Sequence, residues 1–192
     1  MKIPKKLLAF FKNGLNATLE MRLKTFTTRE RIALIPLELV SAMKVGVVVL
    51  LLLFLITFFG RVGEGWTNAF HHGLFAVTAI LTAILAGAVF TPLLLPWLPG
   101  RAFSVKGLSL GVLFVLILLV FGWGDWVRWA DRLERLAWLF IIPAASAFLA
   151  MNFTGASTYT SLSGVRKEMR WAVPFQMSGC IVGLGLWLAS LL

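Results

Sequence analysis

The chain has 192 residues, of which 59% are hydrophobic and only 14% charged, and its mean hydropathy is +0.90. Soluble domains are nearer half apolar and a quarter charged, so this composition excludes an ordinary soluble domain and indicates several segments in lipid. The formal net charge of +10 does not indicate nucleic-acid binding, because the basic residues concentrate in the N-terminal region and in alternate loops. A single cysteine, Cys180, excludes an internal disulfide.

The first 40 residues are predicted to be an approach segment at the cytoplasmic surface of the membrane. Residues 1–16, MKIPKKLLAFFKNGLN, have the pattern of a short basic amphipathic helix lying among the lipid headgroups, and a frayed tail is the alternative. The sequence TTRE at 27–30 matches a helix-capping box, with Thr27 at the N-cap. Pro36 is expected to interrupt the helix that follows.

Five apolar stretches are long enough to cross about 30 Å of hydrocarbon, which takes roughly 20 residues. They cover about 41–60, 69–91, 105–123, 134–152 and 171–191. The predicted fold is therefore an all-α integral membrane bundle of about five transmembrane helices, with 41–192 as its transmembrane domain. Pairs of small residues four apart predict close helix packing within it: Gly107 and Gly111, Ala83 and Gly87, Gly179 and Gly183.

Loop charges predict the orientation of these spans. The N-terminal stretch up to Lys44 and the loops 92–106 and 153–170 together hold fourteen of the eighteen lysines and arginines. The other two loops hold the remaining four, with acidic residues beside them: Arg61, Arg128, Arg132 and Arg135, with Glu64, Asp125, Asp131 and Glu134. By the positive-inside rule, the N-terminus lies in the cytoplasm and the C-terminus outside, in the inner membrane of a bacterial or archaeal cell.

The loop between the last two spans is unusually polar for a connection. Residues 152–163 contain eight hydroxyl or amide side chains. These groups could bind an anion or a partner at the cytoplasmic surface, or they could satisfy their own backbone in local turns. The candidate docking residues are Asn152, Phe153, Thr154, Gly155, Ser157, Thr158, Tyr159, Thr160 and Ser161.

Few other side chains could carry chemistry. Cys180 and Met177 lie three residues apart near the middle of the last span, which suits either a soft-metal site or ordinary apolar packing. The two adjacent histidines at 71 and 72 are interpreted as interfacial anchors or caps rather than metal ligands.

The approach segment contributes three further candidates. Glu38, near the inner surface, is expected to pair with a nearby basic residue, and Arg29 and Arg31 are expected to contribute to docking. No nucleotide-binding, zinc-protease or serine-hydrolase motif is present, so no catalytic residue is assigned.

Two stretches carry a family resemblance. Residues 20–40, EMRLKTFTTRERIALIPLELV, and 151–170, MNFTGASTYTSLSGVRKEMR, resemble the membrane half of the corrinoid-dependent mercury-methylation protein. The likeness extends over about 18–192. That family is related, through its soluble half, to the corrinoid iron–sulfur protein of the acetyl-CoA pathway.

The resemblance implies a partner rather than an activity. In that family a soluble domain binds the corrinoid through a cysteine motif, N-(V/I)-W-C-A-A-G-K, which is absent here, and Cys180 does not map onto it. The chain is therefore expected to bind no cofactor itself. It would anchor a corrinoid-binding protein or domain in a methyltransferase system resembling mercury methylation. A ferredoxin-like iron–sulfur protein would supply that partner with electrons. The membrane chain would also assist delivery of a soft-metal or thiolate substrate. The N-terminal sequence MKIPKK is interpreted as a native start, which favours a separate corrinoid polypeptide over a removed domain.

The alternative function is a small multi-pass transporter or channel with its own substrate. A conduit would need polar side chains along a path through the spans, and few are present: Thr78, Thr82, Ser146, Gln176 and Ser178. This scarcity favours the anchor and docking role.

Overall fold

The computed structural model describes residues 28–61, 65–121, 128–156 and 162–191. About 90% of these residues are helical, and none of them is in a strand. Five of the helices are long and apolar enough to cross a membrane, so the predicted all-α membrane fold is confirmed. The predicted amphipathic segment 1–16 and the N-cap Thr27 lie outside the described residues.

The five helices follow one another in the order of the predicted spans. Their bounds are α1 Thr28–Gly60, α2 Trp66–Ile84, α3 Phe103–Phe121, α4 Trp129–Ala156 and α5 Leu162–Ala189. α2 continues through a π-helical stretch, Leu85–Phe90, into a last α-helical turn, Thr91–Leu93. Since consecutive helices are joined by short connections, each runs antiparallel to the one before it.

The interruption expected at Pro36 is wrong, because α1 is continuous from Thr28 to Gly60. A proline inside a helix removes the hydrogen bond to the carbonyl four residues earlier, here that of Ile32. Both Ile32 and Pro36 lie on the exposed surface of α1, so that carbonyl is not enclosed by the protein. The helix therefore tolerates this proline and starts well before the apolar run.

A π-helical turn ends the regular part of α2 beside α4. The backbone N–H of Thr91 donates to the carbonyl of Ala86, five residues earlier, and the Thr91 hydroxyl donates to the same oxygen at 2.7 Å. Thr91 is buried, so water does not reach its hydroxyl, and the bond to the Ala86 carbonyl oxygen gives that hydroxyl a partner. Pro92 follows at once, and its missing N–H suits the end of the helix.

α4 is the central helix, and glycines on its neighbours pack against it. A Cβ added to Gly107 of α3 would lie 2.5 Å from the Ala150 Cβ, and one added to Gly183 of α5 would lie 2.5 Å from a side-chain carbon of Ile141. Gly87 of α2 and Gly111 of α3 approach the same helix as closely. The close packing predicted from the paired small residues is confirmed.

Two ends of the bundle are defined by polar contacts between different helices. At the Arg31 end, the Arg31 guanidinium reaches the Leu93 carbonyl after α2 (3.5 Å), and the Ser104 N–H of α3 donates to the Glu168 carboxylate of α5 at 2.7 Å. At the opposite, Arg61 end, the Arg61 guanidinium donates to the Ser190 carbonyl after α5 at 3.1 Å. The bundle is thus closed at both ends by polar contacts between different helices.

The contact of Glu168 with α3 makes a stability prediction. Its carboxylate accepts an N–H of the first turn of α3, a group with no partner inside that helix. Glu168→Ala should therefore lower the free energy of unfolding by about 1 kcal/mol. Glu38→Ala is the matched control, since Glu38 has no ion pair with another described residue. Equal stability of the two variants in detergent would contradict the capping role.

Candidate functional site

Four ionisable side chains from three helices meet at the Arg61 end. Arg61 directly follows α1, and its backbone N–H still bonds to the Thr57 carbonyl at 3.1 Å, which keeps it in helical register. His72 lies in the second turn of α2. Asp131 and Glu134 are three residues apart at the start of α4, a spacing that places both carboxylates on one helix face. These four residues form the Arg61 cluster.

The Arg61 guanidinium bridges the two carboxylates. Its Nη1 lies 3.3 Å from Asp131 Oδ1, and its Nη2 lies 3.3 Å from Glu134 Oε2. The side chains of all three are almost completely enclosed, with Arg61 only 2% exposed. Charges removed from water are tolerated only when they are paired, so this arrangement is a stability requirement of the fold.

The hydrogen bonds around His72 define its protonation. Its Nδ1 lies 2.7 Å from Glu134 Oε2, which accepts and does not donate, so Nδ1 carries the hydrogen. Its Nε2 lies 3.4 Å from Arg61 Nη1, a donor, and 3.7 Å from Asp131 Oδ1, which is too long for a hydrogen bond. The network thus places a hydrogen on Nδ1, which donates to the Glu134 carboxylate.

The same residues include a possible set of metal ligands. Ligand atoms of His72, Asp131 and Glu134 lie within 4.8 Å of one another, and imidazole with carboxylates is a common set for zinc. However, Arg61 already contacts both carboxylates, and its positive charge would repel a second cation. These three residues would hold a divalent metal only after Arg61 moved away, so the described geometry fits an internal ion-pair network better than a metal centre.

The residues predicted in the approach segment lie at the opposite end of the bundle. Arg31 is buried, and its guanidinium contacts the Leu93 carbonyl and the Thr28 hydroxyl (3.2 Å). Arg29 is exposed. Glu38 is half-buried and has no ion pair with any other described residue, so the expected pairing is not found there. Arg31 therefore holds the bundle together, while Arg29 is free to face a partner or lipid headgroups.

The candidate docking loop is only partly described. Asn152 is exposed in the last turns of α4, whereas Phe153 is 1% exposed, so its side chain packs inside the bundle and is not available to a partner. Thr154 and Gly155 lie within α4. Ser157, Thr158, Tyr159, Thr160 and Ser161 lie outside the described residues.

Cys180 and Met177 lie on α5, away from the Arg61 cluster. The thiol is half-buried, and Met177 is 59% exposed on the surface that faces lipid. The one described group of three histidine, cysteine or acidic side chains close enough to share a metal does not include Cys180. A soft-metal site at Cys180 and Met177 stays a prediction.

Sequence reasoning missed the Arg61 cluster by treating its members as balanced loop charges and an interfacial histidine. A usable signal was present: Asp131 and Glu134 share a helix face with Trp138 at spacings of three and four, so that face continues into the core. Arg61 provides a second signal. It directly follows the apolar run of the first span, so it lies at the end of a helix that packs in the same bundle.

No family model, no curated protein and no solved structure matches the chain. The functional interpretation therefore depends on the residues and on the geometry of the bundle.

Proposed function

We propose that the chain is the membrane subunit of a corrinoid-linked methyl-transfer system in a cell inner membrane, and that its Arg31 end docks a soluble corrinoid-binding protein. One observation supports this above others. The two stretches that resemble the mercury-methylation family, 20–40 and 151–170, are more than a hundred residues apart in the chain. Their described parts nevertheless lie at the same end of the bundle, where Arg31 of the first stretch contacts Leu93 and Glu168 of the second stretch contacts Ser104.

The charge of the Arg31 end suits docking of an acidic protein surface. Five basic residues of this end are exposed or half-buried: Arg29, Arg101, Lys106, Arg166 and Lys167. The acidic residues of this end are fewer, namely Glu30, Glu38 and Glu168, and the Glu168 carboxylate is bonded to Ser104. Complementary charge speeds association and fixes orientation, which is what an anchoring subunit requires.

The proposed role needs no catalytic residue in the membrane. The helices are packed through glycines against α4, and the Ser146 hydroxyl at their centre donates to the Gly107 carbonyl at 2.8 Å, so it is not free to line a conduit. The corrinoid and the methyl group would remain on the soluble partner, with a ferredoxin-like protein supplying electrons. The membrane chain would hold that partner beside the lipid surface.

Docking can be tested by anaerobic capture. The tagged, detergent-solubilised protein should retain a corrinoid protein, seen as corrinoid absorbance in the eluate. The double variant Asn152→Ala/Tyr159→Ala should weaken capture by about tenfold or more, as expected for loss of polar and aromatic interface contacts. Arg132→Ala, an exposed change at the Arg61 end, should leave capture unchanged. A colourless eluate from the unsubstituted protein would contradict the proposal.

A transporter or channel is the second candidate, and the Arg61 cluster favours it. Ionisable side chains enclosed within a membrane bundle commonly mark ion or proton pathways. Against it stands the pairing of Arg61 with both carboxylates, which satisfies these charges internally. Solute or proton flux into liposomes containing the purified protein, abolished by Glu134→Gln, would favour transport over docking.

A further inference from the structure

A cleft of about 310 Å³ lies between α3, α4 and α5, away from both ends of the bundle. Its wall is almost entirely apolar, with Phe140 and Pro143 from α4 and Phe175 and Val182 from α5. Phe140, Phe175 and Val182 are also exposed on the outside of the bundle, so the cleft opens toward the hydrocarbon of the membrane. A volume of this size suits a small molecule or the head of a lipid.

One wall residue is polar and lacks partners. Gln176 is 4% exposed, and neither its amide nitrogen nor its amide oxygen has a hydrogen-bond partner among the described residues. An amide in apolar surroundings without hydrogen bonds is strongly unfavourable. The Gln176 amide makes no hydrogen bond in its described position. Rotation about the side-chain torsions of Gln176, which would turn the amide toward the cleft, therefore breaks no hydrogen bond.

A second polar group is available in the same wall. Pro143 has no N–H, so it cannot donate to the carbonyl of Leu139, the residue four before it in α4. Both residues line the cleft. The wall thus provides an amide donor and an amide acceptor from Gln176, and a backbone acceptor from Leu139. A hydroxyl group, which both donates and accepts, complements these three groups better than a carbonyl or an ether does.

The depth of Gln176 restricts which molecules can reach it. In the span Gly164–Ala189, Gln176 is twelve residues from one end and thirteen from the other, which are about 18 Å and 20 Å along a helix. The residue therefore lies near the middle of the membrane, about 15 Å from the headgroup region. Phospholipid headgroups and ester carbonyls stay at that interface, so the ligand must be a neutral molecule whose polar group enters the hydrocarbon.

We infer that this cleft binds a neutral, lipid-soluble molecule with a hydroxyl-bearing head, of the hydroquinone or long-chain-alcohol type, through Gln176. The hydroxyl accepts from the Gln176 amide nitrogen and donates to its oxygen or to the Leu139 carbonyl. The rings of Phe140 and Phe175 flank the head, and the tail leaves between α3 and α5 into the lipid. This site is independent of the docking role, since it lies on the lipid-facing side of the bundle.

Ligand binding can be measured on the full chain in lipid nanodiscs. A decyl-substituted hydroquinone and dodecanol are the two probes, and tryptophan fluorescence and the thermal midpoint are the readouts. At least one probe should bind saturably and raise the midpoint, and Gln176→Leu should weaken that binding at least about tenfold. Which probe binds better identifies the head group.

Three variants keep the result interpretable. Gln176→Leu without ligand should unfold at a higher temperature than the unsubstituted chain, because an unpartnered buried amide is removed. Ala144→Leu should block the cleft with the amide intact and abolish binding. Ser109→Ala should change nothing, since that hydroxyl does not line the cleft and donates to the Lys106 carbonyl of its own helix at 2.8 Å.

Three results would overturn the inference: no saturable binding of either probe, equal binding to Gln176→Leu, or a lower midpoint for ligand-free Gln176→Leu. Organic extraction of the natively purified protein gives an independent readout. Recovery of a hydroxyl-bearing neutral lipid supports the site, and recovery of phospholipid alone contradicts it. Failure here leaves corrinoid-protein capture unaffected, so the two proposals are tested separately.

Discussion

Replacement of Arg61 by leucine is expected to lower the free energy of unfolding by about 3–5 kcal/mol, because it leaves two enclosed carboxylates without their cation. Arg61 lies 3.3 Å from Asp131 and 3.3 Å from Glu134, and its only described backbone acceptor, the Ser190 carbonyl, ties the end of α5 to the same point. The loss would therefore loosen α1, α4 and α5 together. Unfolding in mixed detergent micelles, followed by fluorescence of the eight tryptophans, measures it.

The matched control for this change is Arg132→Ala, also at the Arg61 end. Arg132 is exposed and lies over the ring of Trp129 at 5.6 Å, so its removal should cost less than about 1 kcal/mol. The triple variant Arg61→Leu/Asp131→Asn/Glu134→Gln should recover much of the lost stability, since neither enclosed side chain of Asp131 and Glu134 then carries a charge. If Arg61→Leu were as stable as Arg132→Ala, the cluster would not support the fold.

Substitution of Gly107 by leucine should be the most damaging change in the middle of the bundle. Even a Cβ at this position would lie 2.7 Å from the Ser146 carbonyl oxygen and 2.9 Å from the Ala147 Cα, both of which belong to the backbone of α4. Backbone cannot move aside as a flexible side chain does, so α3 and α4 must separate. The cost should be at least about 1–3 kcal/mol, with loss of the hydrogen bond from Ser146 to Gly107.

Gly185→Leu provides the same chemical change without the contact. Gly185 lies on the exposed surface of α5, and a Cβ there would meet nothing within 4 Å. Because leucine favours a helix over glycine by up to about 1 kcal/mol, this variant should be as stable as the unsubstituted chain or more stable. Comparison of the two variants in the same micelles separates packing from helix propensity. Similar losses in both would indicate that α3 and α4 do not depend on close contact at Gly107.

The helices could be predicted from the sequence because burial in lipid leaves a local signal. A run of about twenty apolar residues identifies a span whatever its neighbours are, and paired glycines such as Gly107 and Gly111 identify the face that approaches another helix. The continuity of α1 through Pro36 was missed because residues 28–40 are mixed in character and include a proline. Whether such a segment continues a helix depends on whether the exposed carbonyl finds a partner, which local composition does not reveal.

The Arg61 cluster could not be found in this way because its pairing is not local. Arg61 and Asp131 are 70 residues apart, and their contact depends on how α1 and α4 pack. The helix face that Asp131 and Glu134 share with Trp138 indicates that this face continues into the core, but the sequence does not identify Arg61 as the partner of these carboxylates. Gln176 illustrates the same limit: it was noted as one of few polar residues in the spans, but its lack of partners appears only once α3, α4 and α5 are packed around it.

The separation between Arg61 and its carboxylates also bears on how the protein is made. At translation rates of about 5–20 residues per second, Asp131 is synthesised roughly 4–14 s after Arg61. Of the other members of the Arg61 cluster, His72, eleven residues on, is the one that is made during that interval. The cluster can therefore be completed only when α4 arrives. Insertion of the first two helices and closure of the cluster are consequently separate events in the biogenesis of this protein.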